Sequence, residues 1–444
     1  MTSGRHLWSI SEFPFQPEKL SHYETLFSVG NGYLSTRAAF EERYEDDMPV
    51  TLVHGIYNQV GEKVPELVNL PNWLDMRISI DGTPLDMTPQ EHVWGELPKG
   101  VLGFRRTLHM ERGLLKREVL FRAPSGGMVR LVFERFANME NVHLAAQRVT
   151  ITAIDGTTEI SIESGIDTDI SNDGCRHWTN ITTSVEDGRV SVGAVTSQAG
   201  YKLGMASYLV SPAPIEAIND DVRPRVRTTF KLEFQASATV DKLTAIYTSR
   251  DLPDPLEAAQ NAVTEAACVG YNHLQAASDE TWDERWQTGD VQIEGDESAQ
   301  IALRFVMYHI LIAAPRHEDR VSIGAKTLSG LGYKGHVFWD TELFIVPTMI
   351  LTQPDIARNL LMYRYHLLEP ARENARINGF EGAMFPWESA DTGIETTPKW
   401  SDPLPDGSKI RIWTGEREQH ISTDIAYAVW QFWRWTGDDA FMRN

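Results

Sequence analysis

Near residue 252 the hydrophobic pattern of this chain changes period, and that change constrains the fold more than any other feature. Upstream, short runs alternate apolar and polar residues between turn signals. Examples are RISIDGTPL around Asp81-Gly82, VEDGRVSV around Asp187-Gly188, and TFKLEF with Phe230, Leu232 and Phe234 on one face. A period of two sends successive side chains to opposite faces, as a half-buried antiparallel strand requires. Many such strands at close spacing predict a large β-sandwich with little room for parallel βαβ units. Downstream the period is helical. DLPDPLEAAQ offers Asp254 as an N-cap and Pro255 at the first helical position. SAQIALRFVMYHILIAAP repeats Ile301, Phe305, Tyr308 and Ile312 at spacings of three and four until Pro315 stops it. PDIARNLLMYRYHLL, EPARENARI and STDIAYAVWQFWRWTG follow, the last closed by Gly437 as a C′ residue. The expected organisation is mixed and multidomain: a β-sandwich over 1–252, a helical linker over 253–295 and a helical domain over 296–444.

At 444 residues and 42% hydrophobic content the chain exceeds a single core, since cores stop growing near roughly 250 to 300 residues. Its 41 Lys and Arg stand against 62 Asp and Glu, a net charge of −21. That balance repels phosphate backbones and anionic lipid, so neither nucleic acid nor a membrane is expected as a partner. Cys175 and Cys268 are far apart and lack metal-ligand spacing, so no disulfide framework and no metal site is expected. MTSGRHLWSISEF has no apolar stretch of signal-peptide length, and no later run reaches membrane-spanning length. A cytoplasmic location is the expectation.

Two connections, 316–337 and 379–420, are long, aromatic-rich and dense in carboxylates, which in a compact helical domain marks function. The first leads into Phe338, Trp339, Asp340 and Glu342. The second carries Trp387, Glu388, Asp391, Glu395, Trp400, Glu416, Glu418 and His420. Aromatic faces beside acceptor carboxylates suit a sugar, whose C–H groups pack on rings while its hydroxyls donate to fixed oxygens. Each residue also has a plainer reading: Trp339 as core, Asp340 as an N-cap, Glu416 and Glu418 as solvated surface, His420 as an ordinary histidine. P-loop, dinucleotide-binding, HExxH and GxSxG patterns are absent. The glycines of GLGYKG, 330–335, suit a tight turn or a close backbone approach better than a phosphate cradle.

The stretch GYKGHVFWDTELFIVPTMILTQPDIARNLLMYRYHLLEPARENARINGFEGAMFPWESADTG closely resembles glycoside hydrolase family 65, the maltose, kojibiose, nigerose and trehalose phosphorylases. HYETLFSVGNGYLSTRAAFEE and EQHISTDIAYAVWQFW resemble the same family, so the likeness spans nearly the whole chain. It implies an N-terminal β-sandwich, a helical linker and the first part of an (α/α)6 barrel. It also implies an inverting phosphorolysis of an α-glucosyl disaccharide by inorganic phosphate, giving β-glucose 1-phosphate, with no cofactor. Trp339 and Asp340 match the pair that grips the glucosyl unit, and with Trp387, Glu388 and His420 they are the expected substrate-binding residues. The stretch from Glu395 to His420 matches loops that shape the acceptor side. The family's general acid, a Glu in a GPDEYHE-like segment, and its phosphate-site residues fall downstream of Asn444. No catalytic residue is therefore assigned, and the 444 residues alone are expected to be an inactive N-terminal portion with apolar helix faces exposed. The alternatives are an inverting, trehalase-like hydrolase and a non-catalytic glycan-binding fragment. The family also implies a homodimer.

Overall fold

The computed structural model describes residues 5–42, 44, 47–61, 63–89, 95–401 and 403–443. Nine strands pair antiparallel in the order Ser9–Glu12, Val101–His109, Leu114–Arg122, Met128–Ala137, Leu144–Asp155, Ser237–Thr248, Lys202–Val210, Arg189–Thr196, Trp178–Glu186. A second sheet orders Ile215–Ile218, Arg225–Leu232, Thr158–Gly165, Met76–Ile80 and Thr83–Pro84. Alternation places Met76, Ile78 and Ile80 inward, and Ile162 sits opposite Ile78 in register. These residues share one apolar core with Val149, Ile151, Val190 and Val192 of the larger sheet, so the two sheets face each other as a sandwich. The turns are as the dipeptides require: Asp81 and Asp187 take φ of 47° and 47°, with Gly82 and Gly188 following at 76° and 80°. Phe234 departs from the alternation. The strand ends at Leu232, and Phe234 lies in the next turn at 60% exposure.

After an isolated early helix, Leu20–Leu26, the helical region opens with Pro255–Val269 and Tyr271–Gly289. Asp254 does not cap Pro255–Val269, its side chain making no bond to the helix. Close packing fixes the helix start, since a Cβ on Gly204 would lie 2.2 Å from the Pro255 carbonyl. Ala259, Val263 and Ala266 bury against Phe136, Leu144 and Leu243 of the sheet, so this helix covers the sandwich. The helix Glu297–Ala313 ends before Pro315, and of its expected face Tyr308 and Ile312 are buried. Arg304, Met307, Tyr308 and Leu311 are buried, while Ile301 and Phe305 are only half-buried. Arg304 is stable there because it pairs with Asp290 at 2.8 Å and lies 3.7 Å above the Trp8 ring. The helices Val346–Thr352, Pro354–His366, Leu368–Ile377 and Ile421–Thr436 follow, and Gly437 closes the last at φ 72°. No helix among the described residues is long and apolar enough to cross a membrane.

The sheet and helical parts share a continuous core: Phe27, Val29, Leu52 and Met110 pack with Trp282, Met307, Val346 and Leu360. The FSVGNGY segment forms the seam. Gly32 donates to the Ile312 carbonyl at 2.9 Å, and any side chain at its φ of 82° would meet the Ala314 oxygen. His54 and His309 bond the carbonyls of Ala313 and Leu26 across the same seam. Burial lowers both imidazoles to about 4. Between pH 6.5 and 4 the unfolded chain therefore binds protons that the folded one refuses. Stability should fall as pH drops through that window and level off below it, by roughly 3 kcal/mol for a fully buried imidazole. Thermal melts at pH 7, 5.5 and 4 measure the slope. His54→Gln keeps a donor for the Ala313 carbonyl and should flatten it.

Candidate functional site

The segment from Gly332 to Ile345 leaves the seam and turns into the helices. Tyr333 and Lys334 take left-handed conformations, φ 50° and 57°, which side chains disfavour and only surrounding contacts maintain. Tyr333 packs edge-on against Phe338, and the contacts of the next three residues come from the sheet part. The Tyr57 hydroxyl donates to the Gly335 carbonyl at 2.5 Å, Lys334 lies 3.6 Å from Glu66, and His336 bonds the Pro65 carbonyl at 2.6 Å. At Gly335 a Cβ would stand 2.6 Å from the Leu67 side chain, so glycine is needed for a close approach rather than a phosphate. Thr341–Ile345 is then a π-helical turn, a local widening found most often at functional sites.

The two carboxylates of FWDTEL part company here. Glu342 is fully buried and held by Arg364 through two bonds, 2.7 and 3.0 Å. Arg364 also donates to the Phe338 carbonyl at 2.8 Å, bracketing Trp339 and Asp340 between two fixed points. Asp340 is half-buried, and its side chain caps no helix and bonds nothing among the described residues. The N-cap reading of Asp340 is therefore replaced by a carboxylate that is open to a ligand.

The second loop is stapled to the first. Val337 and Ser389 exchange backbone bonds of 2.9 and 3.0 Å, and Tyr363 bonds the Ser389 hydroxyl and the Ala390 carbonyl. Glu395 faces inward within its own loop, accepting from the backbone of Trp387 and Thr397, so it shapes the turn. This brings three rings together. Trp339 and Trp387 are 6.3 Å apart at 56°, and His420 stands edge-on to both at 5.0 and 5.9 Å. His420 is itself held by Asp424. Glu388 follows Trp387 in the chain and is 7% exposed, with one oxygen 2.7 Å from His336 Nδ1. Of the five expected residues the three rings converge, while Asp340 and Glu388 are each next in sequence to one of the tryptophans and Glu388 is already engaged. Glu416 and Glu418 are exposed, as the plainer reading has it, and Trp400 stands 54% exposed beside Arg411. Asp391 points elsewhere: it accepts from Tyr201 and lines a cavity of ≈ 210 Å³ with His54, Tyr57, Arg250 and Ser322.

Sequence reading missed His336, Arg364 and Tyr363, whose roles depend on partners distant in the chain. The only local signal for Arg364 and Tyr363 was a polar group inside an apolar, helix-patterned segment, and for His336 a histidine in a glycine-rich turn. Among the described residues one cluster has metal-type ligands, Glu66, Cys175 and His177. Its protons oppose a cation. Asn58 Oδ1 accepts from Gln198 and Ala199, which turns its amide N–H toward His177 Nδ1 and leaves Nε2 to donate to Glu66 at 3.0 Å. A metal at Nε2 would leave both ring nitrogens without a proton. The cluster is a hydrogen-bonded strap.

Two family models match: the glycosyl hydrolase family 65 N-terminal domain over residues 10–285 and the family 65 central catalytic domain over 304–444. Kojibiose phosphorylase of Halothermothrix orenii is 37% identical, covering 98% of this chain and 57% of that protein. Kojibiose phosphorylase of Escherichia coli is 33% identical, with 98% and 58% covered. Alpha,alpha-trehalose phosphorylase of Geobacillus stearothermophilus is 31% identical, again with 98% and 58% covered. A solved human-microbiome protein named for kojibiose phosphorylase superposes with a TM-score of 0.87 at 22% identity, over 99% of this chain and 57% of that one, a likeness of fold. The chain spans under three fifths of the length of these relatives.

Proposed function

Because this chain belongs to glycosyl hydrolase family 65, we propose that it supplies the glucosyl-binding part of an inverting disaccharide phosphorylase. The reaction is attack of inorganic phosphate on an α-glucosyl disaccharide, giving β-glucose 1-phosphate and the released acceptor sugar. The observation that carries the reading is the unpartnered Asp340, next in the chain to Trp339, whose ring lies 6.3 Å from that of Trp387. A glucosyl ring laid against the indoles would donate its hydroxyls to Asp340, and those bonds would strengthen as the ring gains oxocarbenium character. Phosphate is already an anion, so its attack needs no base. The leaving oxygen still needs a proton. Glu342 is committed to Arg364, Glu388 to His336 and Glu395 to backbone N–H groups. The reading assigns these residues binding and positioning, and assigns none of them the acid.

The named relatives favour phosphorolysis over hydrolysis, and kojibiose is the first substrate to test. We place the protein in the cytoplasm, where phosphate is plentiful. The test incubates the complete protein with kojibiose, nigerose, trehalose and maltose, with and without phosphate, and follows the anomeric protons by NMR. β-Glucose 1-phosphate should form only with phosphate. Free glucose formed equally in its absence would replace this reading with a hydrolase.

A further inference from the structure

We propose that His336, anchored to the sheet part of the chain, is a positioning residue that fixes Glu388 in the glucosyl site. The inference rests on the glucosyl-binding reading above. His336 is fully buried. Its Nε2 lies 2.6 Å from the Pro65 carbonyl oxygen, which can only accept, so Nε2 carries a proton. Its Nδ1 lies 2.7 Å from Glu388 Oε2. Two lone pairs do not approach so closely, so a second proton lies in that contact, on the ring or on the carboxyl. In either arrangement the pair has no net charge.

Three consequences follow from that proton. Glu388, buried though it is, is not an uncompensated charge. Its rotation is fixed, which leaves Oε1 as the oxygen open to a ligand: Oε1 bonds nothing among the described residues and is not sealed from solvent. Asp340 then remains the one carboxylate of the five site residues without a cationic or proton-sharing partner, so an arriving phosphate meets one negative charge where two would repel it. Pro65 anchors the ring. It adjoins Glu66 and Leu67, the residues that grip Lys334 and Gly335, so one short segment of the sheet part sets both the loop conformation and the His336 ring.

Two substitutions divide the ring into its halves. His336→Gln can keep an N–H toward Pro65 but presents nothing to Glu388, whereas His336→Asn presents an N–H to Glu388 and loses Pro65. Calorimetric titration with glucose should show affinity reduced about tenfold or more in His336→Gln and within about threefold of the unaltered protein in His336→Asn. Both variants should melt earlier. His336→Gln added to Glu388→Gln should cause no further loss. Equal losses in the two variants, or unaltered binding by His336→Gln, would overturn the proposal. The proton itself is read without sugar by 15N spectra of the imidazole, and an Nδ1 that neither bears nor accepts a proton also overturns it. Failure of the unaltered protein to bind glucose or kojibiose counts against the glucosyl-binding reading alone, because the 15N result stands independently.

Discussion

Asp340→Ala should lower kcat/KM for kojibiose phosphorolysis by a hundredfold or more, on the order of two charge-assisted hydrogen bonds lost, while the melting temperature hardly moves. The asymmetry follows from the geometry. Asp340 is half-buried, and its carboxylate bonds nothing among the described residues, so the fold loses no partner when it is removed. A glucosyl ring loses the one acceptor that adjoins Trp339. Asp340→Asn keeps the shape and one acceptor but not the charge, and should fall between the two, with turnover reduced more than binding because ring hydroxyls donate more strongly as positive charge develops. Steady-state kinetics paired with calorimetric glucose titration separates the two effects. A variant that keeps full activity would remove Asp340 from the site, and one that loses activity together with its melting temperature would show that Asp340 supports the fold instead.

The sequence distinguished alternation from helical period because that signal is local: a buried face repeats every two residues in a strand and about every 3.6 in a helix. Period fixed phase only in part, however. On Glu297–Ala313 Tyr308 and Ile312 of the expected face are buried while Ile301 and Phe305 are only half so, and Arg304 is buried instead through Asp290 and Trp8, 14 and nearly 300 positions away. The site shows the same division. Trp339, Trp387 and His420 could be named as chemical types, but their convergence depends on Tyr363 and Arg364, which tie the two loops together from a separate helix. Asp340 and Glu342 look alike in FWDTEL. What separates them is Arg364, 22 residues on from Glu342, and no local pattern encodes that pairing. His336 has no assigned role in GYKGHVFWD for the same reason, since its contacts lie 52 and 271 residues away.

Arg364→Leu should destabilise the protein by about 3–5 kcal/mol, the usual consequence of leaving one member of a buried ion pair uncompensated. Both partners are almost wholly buried, and although burial opposes the guanidinium charge, the Glu342 carboxylate holds its pKa above the ordinary value. Glu342→Leu should cost a similar amount, since it strands the arginine. The double variant Arg364→Met with Glu342→Leu tests where the energy resides. Well-packed apolar replacements of a buried pair are often neutral or stabilising, so the urea midpoint should return most of the way. Glucose binding should not return with it. Arg364 also holds the Phe338 carbonyl at 2.8 Å and reaches the Ser389 hydroxyl at 3.3 Å, and no apolar side chain can replace those bonds. Without them Trp339 and Asp340 lose the fixed point on their N-terminal side, and the two loops lose a cross-link. A double variant that regained both stability and sugar affinity would mean that the pair serves packing alone. Recovery of stability without affinity would mean that this ion pair is kept for the geometry it imposes on Asp340, at no net gain to the fold.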